Sequence, residues 1–329
     1  MLLAFSPTTP GLTATEHVEL GVLAESLGYH GAWAAEVAGP GAFGLLGAMA
    51  VRTSRLELGV AVVPAVTRSP ALLAMEAATV SQLLAGRALW LGIGASSQFI
   101  VESWHGDAFE PPLTRVEQAV MATRALLSGE RNYTGSHVRV ERFALASPPV
   151  GPVRLAVGAL GPAMLGLAGA IGDGACLNLM PPSLVPRQRE AIAAGAASAG
   201  RELPAHFTVM ARLHTVPGED LAACRDAVRR GFGPYFGQPV YNRFLSWMGH
   251  PEEAAAVATA FAAGDRDGVA RAMTDQVVDD VALVGPIGRI RERLADYGAA
   301  GLDVGALSII AANATEVGKV LAALAPEKL

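Results

Sequence analysis

Hydrophobic positions along this chain fall into short runs that alternate with longer stretches of helical periodicity. Apolar runs over 2–5, 31–35, 56–63 and 88–93 precede amphipathic segments over 16–27, 43–52, 71–84 and 113–128. Runs of the first length are strand candidates, and apolar residues recurring at a 3.6-residue period mark the second kind as helices. Parallel strands need a crossover connection, so strand–helix alternation predicts repeated βαβ units.

The second half repeats the theme after an interruption. Residues 131–147 contain His137-Val138-Arg139-Val140, a polar–apolar alternation of period two that predicts an inserted hairpin. Strands follow at 153–157, 175–179 and 207–215, with helices over 162–171, 183–199 and 220–230. Between 231 and 282 the pattern loosens into a helical insertion, with helices at 252–263 and 266–272 and no recognisable strand. A helix over 289–297, a strand over 305–310 and a closing helix over 315–324 complete the chain. Eight strand–helix pairs fit an α/β fold of the closed (β/α)8 TIM-barrel type, spanning 1–329 as a single domain. An open α/β sheet is the alternative.

Composition agrees with a large core. Of 329 residues, 51% are hydrophobic and 17% charged, the opposite of a disordered chain. The net charge of −5 comes without a basic block, which argues against nucleic acid as a partner. Arg225, Arg229 and Arg230 share a helical segment with Asp226 and read as a solvated face. Cys176 and Cys224 have neither disulfide-framework nor metal-ligand spacing. The seven histidines show no metal-binding i, i+4 pairing with acidic company, so no metal site is expected. Met1 to Phe5 lacks the charged start of a signal peptide, and no apolar run is long enough to span a membrane. A cytoplasmic protein acting on a small molecule is expected, assembled as a homodimer.

In a barrel of this kind the chemistry sits in the loops after the strands' C-terminal ends. The junction Val157-Gly158-Ala159-Leu160-Gly161-Pro162 ends a strand with two glycines and puts proline where a helix begins. Proline costs nothing there, because its absent N–H would have had no partner. The remaining N–H groups and the helix dipole suit a phosphate, although an ordinary tight turn has the same composition. The loop Gly94-Ala95-Ser96-Ser97 offers small residues and two hydroxyls for a flat ligand, or alternatively a capping serine. It contains GxG but not GxGxxG, so it is no dinucleotide fingerprint. Ser6, after the first strand, is a further loop candidate. Glu36, after the second, is a candidate proton donor or acceptor, with an exposed loop acid as the bland reading; His105 is the next candidate, with a surface histidine as its counterpart.

These loops, in this order, resemble the luciferase-like F420-dependent oxidoreductases of the bacterial luciferase superfamily over nearly the whole chain. The resemblance is carried by Gly28-Tyr29-His30-Gly31-Ala32-Trp33 with Glu36, by Arg68-Ser69-Pro70 through Leu84-Ala85-Gly86-Arg87, and by Leu91-Gly92-Ile93-Gly94-Ala95-Ser96-Ser97 with Trp104-His105-Gly106. Ala159-Leu160-Gly161-Pro162-Ala163-Met164 and Leu283-Val284-Gly285-Pro286 add to it. The resemblance implies coenzyme F420, or alternatively FMN, lying across the barrel mouth with its phosphate at residues 158–162 and Met164 beside it. It also implies a non-proline cis peptide in a bulge of the third strand, at Ala61–Val62, backing one face of the ring. Some deazaflavin dehydrogenases of the superfamily carry histidine directly after the strand-two acid. Here that place is Val37, which argues against sugar-phosphate oxidation by such a histidine; Gly41 likewise stands where an acid is expected.

Three functions follow from these features. The first is an F420-dependent oxidoreductase exchanging hydride with a C=C, C=N or alcohol carbon. The second is an FMN-dependent luciferase-like monooxygenase on the same barrel. The third is a cofactor-binding barrel without turnover. The aromatic residues Tyr235, Phe236, Tyr241, Phe244 and Trp247 in the insertion are expected either to form the core of a lid or to contact substrate.

Overall fold

A computed structural model describes residues 1–328; Leu329, the last residue of the expected domain, lies outside the described residues. Eight strands form the closed barrel: β1 (Leu2–Phe5), β2 (Gly31–Ala34), β3 (Glu57–Pro64), β4 (Leu89–Gly94), β5 (Val153–Gly158), β6 (Gly174–Asn178), β7 (Thr208–Pro217) and β8 (Val304–Ile309). Every neighbouring pair is parallel. The ring closes because β8 pairs with β1, Val304 opposite Leu2, while β6 pairs with β7, Asn178 opposite Arg212. Closure removes the open-sheet alternative. It also leaves no exposed edge on the barrel itself.

Helices wrap the outside, and local chemistry fixes where they begin. Thr13 caps Ala14–Ser26 in a reciprocal capping box with Glu16, Ser69 caps Pro70–Leu83, and Asp220 caps Leu221–Phe236. The hairpin expected near 131–147 is present as Tyr133–Thr134 paired antiparallel with Arg139–Val140. Among the described residues no helix is long and apolar enough to cross a membrane.

Inside the barrel, Trp33 and Trp90 fill the lower layer, ring centroids 5.6 Å apart. They leave no space on the strands beside them. A Cβ on Gly59 would lie 2.7 Å from Trp33, and one on Gly174 would lie 2.9 Å from Trp90. Above the tryptophans, inward residues become small or polar, and the mouth opens there.

The insertion departs most from expectation. The helix expected to stop at Arg230 continues to Phe236 through Gly231 and Pro234. Pro234 gives up a ladder bond, and Asn242 secures the end from outside by donating to the Phe236 carbonyl at 3.1 Å. Two helices are additional, Pro239–Met248 and Asp275–Val281. A short strand, Leu283–Gly285, pairs with the extended end of β7 where no strand was expected. Three residues are too few to establish a period. These helices bury their own cluster, including Phe236, Leu245, Val257 and Val277.

Candidate active site

A cavity of about 570 Å³ opens at the C-terminal ends of the strands, within the usual range for small-molecule sites. It is built by the loops after β2, β4 and β5, by residues within β3, β6 and β7, and by the first two helices of the insertion.

The third strand shapes one wall. Its register against β4 shifts between Val60 and Val63, and the Ala61–Val62 peptide is cis. The bulge turns the Val62 side chain inward. A Cβ on Gly94 would sit 2.6 Å from Val62 Cγ2, and one on Gly158 would sit 3.0 Å from Val62 Cγ1. The glycines in β4 and β5, expected to make room for a ligand, therefore make room first for the protein's own bulge. Ala61, Val62, Gly94 and Gly158 still line the cavity.

At the lip, β5 runs into the helix Pro162–Ile171, whose N-cap is Gly161 and carries no side-chain capping bond. Among the described residues no acceptor meets the N–H groups of Gly161, Ala163 or Met164. A Cβ on Gly161 would touch nothing within 4 Å, so the chain has open space beside the helix start. Ala159, Leu160, Gly161, Pro162 and Met164 all line the cavity beside them. Val157 does not: it is fully buried, facing away into the core between strand and helices. Ala95, Ser96 and Ser97 also line the cavity. Ser97 Oγ also accepts from Ile100 N at 3.3 Å, just ahead of the π-helical turn Ile100–Trp104. Ser96 sits at φ 63°, a left-handed conformation.

The proposed acid–base residues fare differently. Glu36 lines the cavity, but both its oxygens accept from Arg68, at 2.8 Å from Nε and 2.7 Å from Nη2. Its Oε1 also lies 3.4 Å from Ala42 N. The structure thus makes it a tie between the loops after β2 and β3. His105 is exposed at the end of the π-helical turn and does not line the cavity. Ser6 is fully buried beside Thr8, its Oγ 3.4 Å from the Thr8 hydroxyl, and lies off the cavity wall.

Sequence reasoning passed over Arg212. Met210, Arg212 and His214 alternate along β7, and that parity places an arginine on the inward side of a largely apolar strand. The signal was a cation in an inward strand position. Arg212 lines the cavity, its Nη2 lies 3.5 Å from His214 Nε2, and its Nε is shut from solvent without an acceptor among the described residues. His214 Nε2 is 2.9 Å from Asn178 Oδ1, and its ring lies 4.4 Å from that of Phe232. Burial, reinforced by the Arg212 charge, holds this imidazole neutral, well below its ordinary pKa. Cys176 forms part of the floor. Burial pushes its thiol up to about 12, which keeps it protonated and unreactive. The aromatic residues Tyr235, Tyr241, Phe244 and Trp247 complete the far wall, so the insertion does reach the site.

Known proteins resemble this chain in fold and, more distantly, in sequence. The sequence model of the luciferase-like monooxygenases matches residues 2–304. The 5,10-methylenetetrahydromethanopterin reductase of Archaeoglobus fulgidus is 32% identical over 288 residues, covering 85% of each chain. The F420-dependent tetrahydromethanopterin reductase of Methanopyrus kandleri superposes with a TM-score of 0.79 over 99% of this chain and 97% of its own, at 22% identity. The FMN-bound oxygenating constituent of 3,6-diketocamphane monooxygenase of Pseudomonas putida superposes with a TM-score of 0.69, at 19% identity, over 99% and 97% of the two chains. At such identities the two solved structures speak for the fold alone. With the model match spanning nearly the whole chain, the protein belongs to the luciferase-like monooxygenase family.

Proposed function

We propose that this chain is an oxidoreductase that binds coenzyme F420 at the barrel mouth and exchanges hydride with a small organic substrate at a C=C, C=N or alcohol carbon. One observation carries the reading: the uncapped start of the helix Pro162–Ile171 on the cavity lip. Its free N–H groups and the positive end of the helix dipole suit a phosphate ester. The residues present fit the coenzyme's other parts too. Ala61, Val62, Gly94 and Gly158 form a smooth, mostly apolar wall for a flat ring, with Ser96 and Ser97 at its edge. When bound, the deazaflavin supplies a carbon that gives or accepts hydride. The chain's part is to hold it against that wall and leave the opposite side to substrate, so the two reactants meet by placement rather than by diffusion. F420 dependence in the names of similar proteins supports the choice of coenzyme.

FMN is the second reading, favoured by the family's monooxygenase description and by the likeness to an FMN-bound fold. Its phosphate would use the same donors.

The test is a titration of the purified protein with F420 and, separately, with FMN, followed by cofactor fluorescence. Saturable F420 binding in the micromolar range is expected, and Gly161→Asp should weaken it by at least about tenfold. The new carboxylate would take the helix donors for itself and repel phosphate, while leaving thermal stability unchanged or raised. Absence of F420 binding overturns the proposal. Yellow protein as purified, with oxygen uptake on adding reduced FMN, replaces it with the second reading.

A further inference from the structure

Arg212 is a cation placed among apolar and aromatic surroundings without a counter-ion. Its Nε has no acceptor among the described residues, and its Nη2 reaches only the neutral ring of His214, at 3.5 Å. The charged or ionisable neighbours that influence it are His214 and the phenols of Tyr235 and Tyr241; no carboxylate is among them. Arg212 is half-buried, with its Nε shut from solvent; a guanidinium stays charged at any ordinary pH, and leaving it partly desolvated and unpaired is costly. The two acids on the cavity wall do not meet this need. Glu36 is committed to Arg68, and Glu110 is exposed at the rim. Arg243, exposed and also on the wall, adds a second cation.

Topology separates this charge from the phosphate donors. Those donors stand at the lip after β5. Arg212 lies within β7, level with Asn178 and Ala306, and β7 is four strands from β3 in either direction around the ring. It therefore faces the Ala61–Val62 bulge from across the mouth. The space between is walled by Tyr235, Tyr241, Phe244 and Trp247.

We infer that Arg212 is the substrate-recognition residue of this site, and that the substrate is a small carboxylate with an apolar or aromatic body. The planar guanidinium fork matches a carboxylate in a two-bond geometry. The aromatic wall receives the rest of the molecule, and the acid group sits on the β7 side, opposite the bulge. This assignment names the substrate class for the F420 reading above and rests on it for turnover. The binding step itself is measurable without coenzyme.

The experiment is isothermal titration of the full chain, free of coenzyme, with benzoate, cinnamate and octanoate, each paired with its carboxamide. At least one acid is expected to bind about tenfold or more tightly than its amide, as a charge-assisted pair over a neutral one implies. Arg212→Met keeps length and apolar contact and should abolish that preference, while Arg212→Lys should retain part of it. F420 binding by both variants, followed through its fluorescence, should stay within about twofold of the wild type. No preference for any acid overturns the inference. So does a loss of F420 affinity in Arg212→Met equal to the loss for the acid, because the charge would then serve the coenzyme. Acid preference in a protein that never binds F420 leaves this inference standing and defeats the coenzyme assignment alone.

Discussion

Arg68 holds Glu36 through both carboxylate oxygens, Nε to Oε2 at 2.8 Å and Nη2 to Oε1 at 2.7 Å, while its guanidinium lies 5.0 Å from the centre of the Phe43 ring. Both side chains are only 20% exposed, so the pair is shielded from screening by water and salt. It joins the loop that follows β2 to the loop that follows β3, the two loops flanking the bulge.

If Glu36 positions these loops, Glu36→Gln should cost about 1–3 kcal/mol of stability, the range for a part-buried charge left with a weakened partner. Urea denaturation measures that cost. Arg68→Met combined with Glu36→Gln should cost less than the sum of the single changes, because neither charge is then stranded. In turnover assays Glu36→Gln should raise KM more than it lowers kcat. A fall in kcat of about a thousandfold with KM unchanged would instead restore the carboxylate to proton transfer.

The contact between Val62 and Gly94 gives a second, independent cycle. A methyl at residue 94 would stand 2.6 Å from Val62 Cγ2, closer than carbon atoms approach. Gly94→Ala alone should destabilise by about 1–3 kcal/mol as the overpacked bulge shifts. Val62→Ala in the same chain removes the clashing methyls, so the double variant should recover most of the loss. Thermal denaturation of the four proteins reads the coupling, and additive losses would show that the bulge does not press on β4.

How much of this could be read from the chain follows from what each feature depends on. The eight strands were legible because burial on both faces leaves short apolar runs, their helices because burial on one face imprints a period, and the junction at Gly161-Pro162 because helix starts use few residue types. The assignment of Glu36 to proton transfer was not recoverable in that form. Its partner Arg68 lies 32 residues away, and only the pairing of β2 with β3 brings their loops together. Arg212 was written in the chain as a parity within β7, yet its lack of a counter-ion is a property of the closed barrel. The strand Leu283–Gly285 depends on pairing with the extended end of β7, and the helix through Pro234 on packing within the insertion, neither of which local preference records.

Stability should fall on mild acidification, and His214 should account for part of it. Burial, with the Arg212 charge adding to it, keeps this imidazole neutral in the folded protein, and burial also lowers the pKa of His17. In the unfolded chain each titrates near about 6.5. Below that pH the unfolded state takes up protons that the folded state refuses, so the stability these groups provide is present above about pH 6.5 and is lost as pH falls towards their folded values. His214→Gln, which keeps a side-chain partner for Asn178, should flatten the decline between pH 6.5 and 5 by up to about 1.4 kcal/mol per pH unit. Chemical denaturation across that range is the measurement. An unchanged slope would mean that His214 protonates freely within the fold.

The helix whose N-terminal donors are proposed to hold the phosphate is itself seated by glycines, and this can be tested apart from any ligand. Pro162–Ile171 and the following helix, Val185–Ser198, approach so closely that a Cβ on Gly169 would lie 1.9 Å from the Ile192 carbonyl oxygen. A Cβ on Gly195 would lie 2.1 Å from the Gly166 carbonyl oxygen. Both obstacles are backbone, so no side chain can rotate away and the helices must part. Alanine has the better intrinsic helix propensity by about 1 kcal/mol, which sets the opposing effect. Overpacking against backbone outweighs it, and Gly169→Ala and Gly195→Ala should each destabilise by about 1–3 kcal/mol. Gly166→Ala, whose Cβ would be 3.9 Å from its nearest neighbour, is the control and should be neutral or stabilising. If F420 affinity falls in Gly169→Ala and Gly195→Ala but holds in Gly166→Ala, the seating of this helix sets the geometry of the donors at its N-terminus.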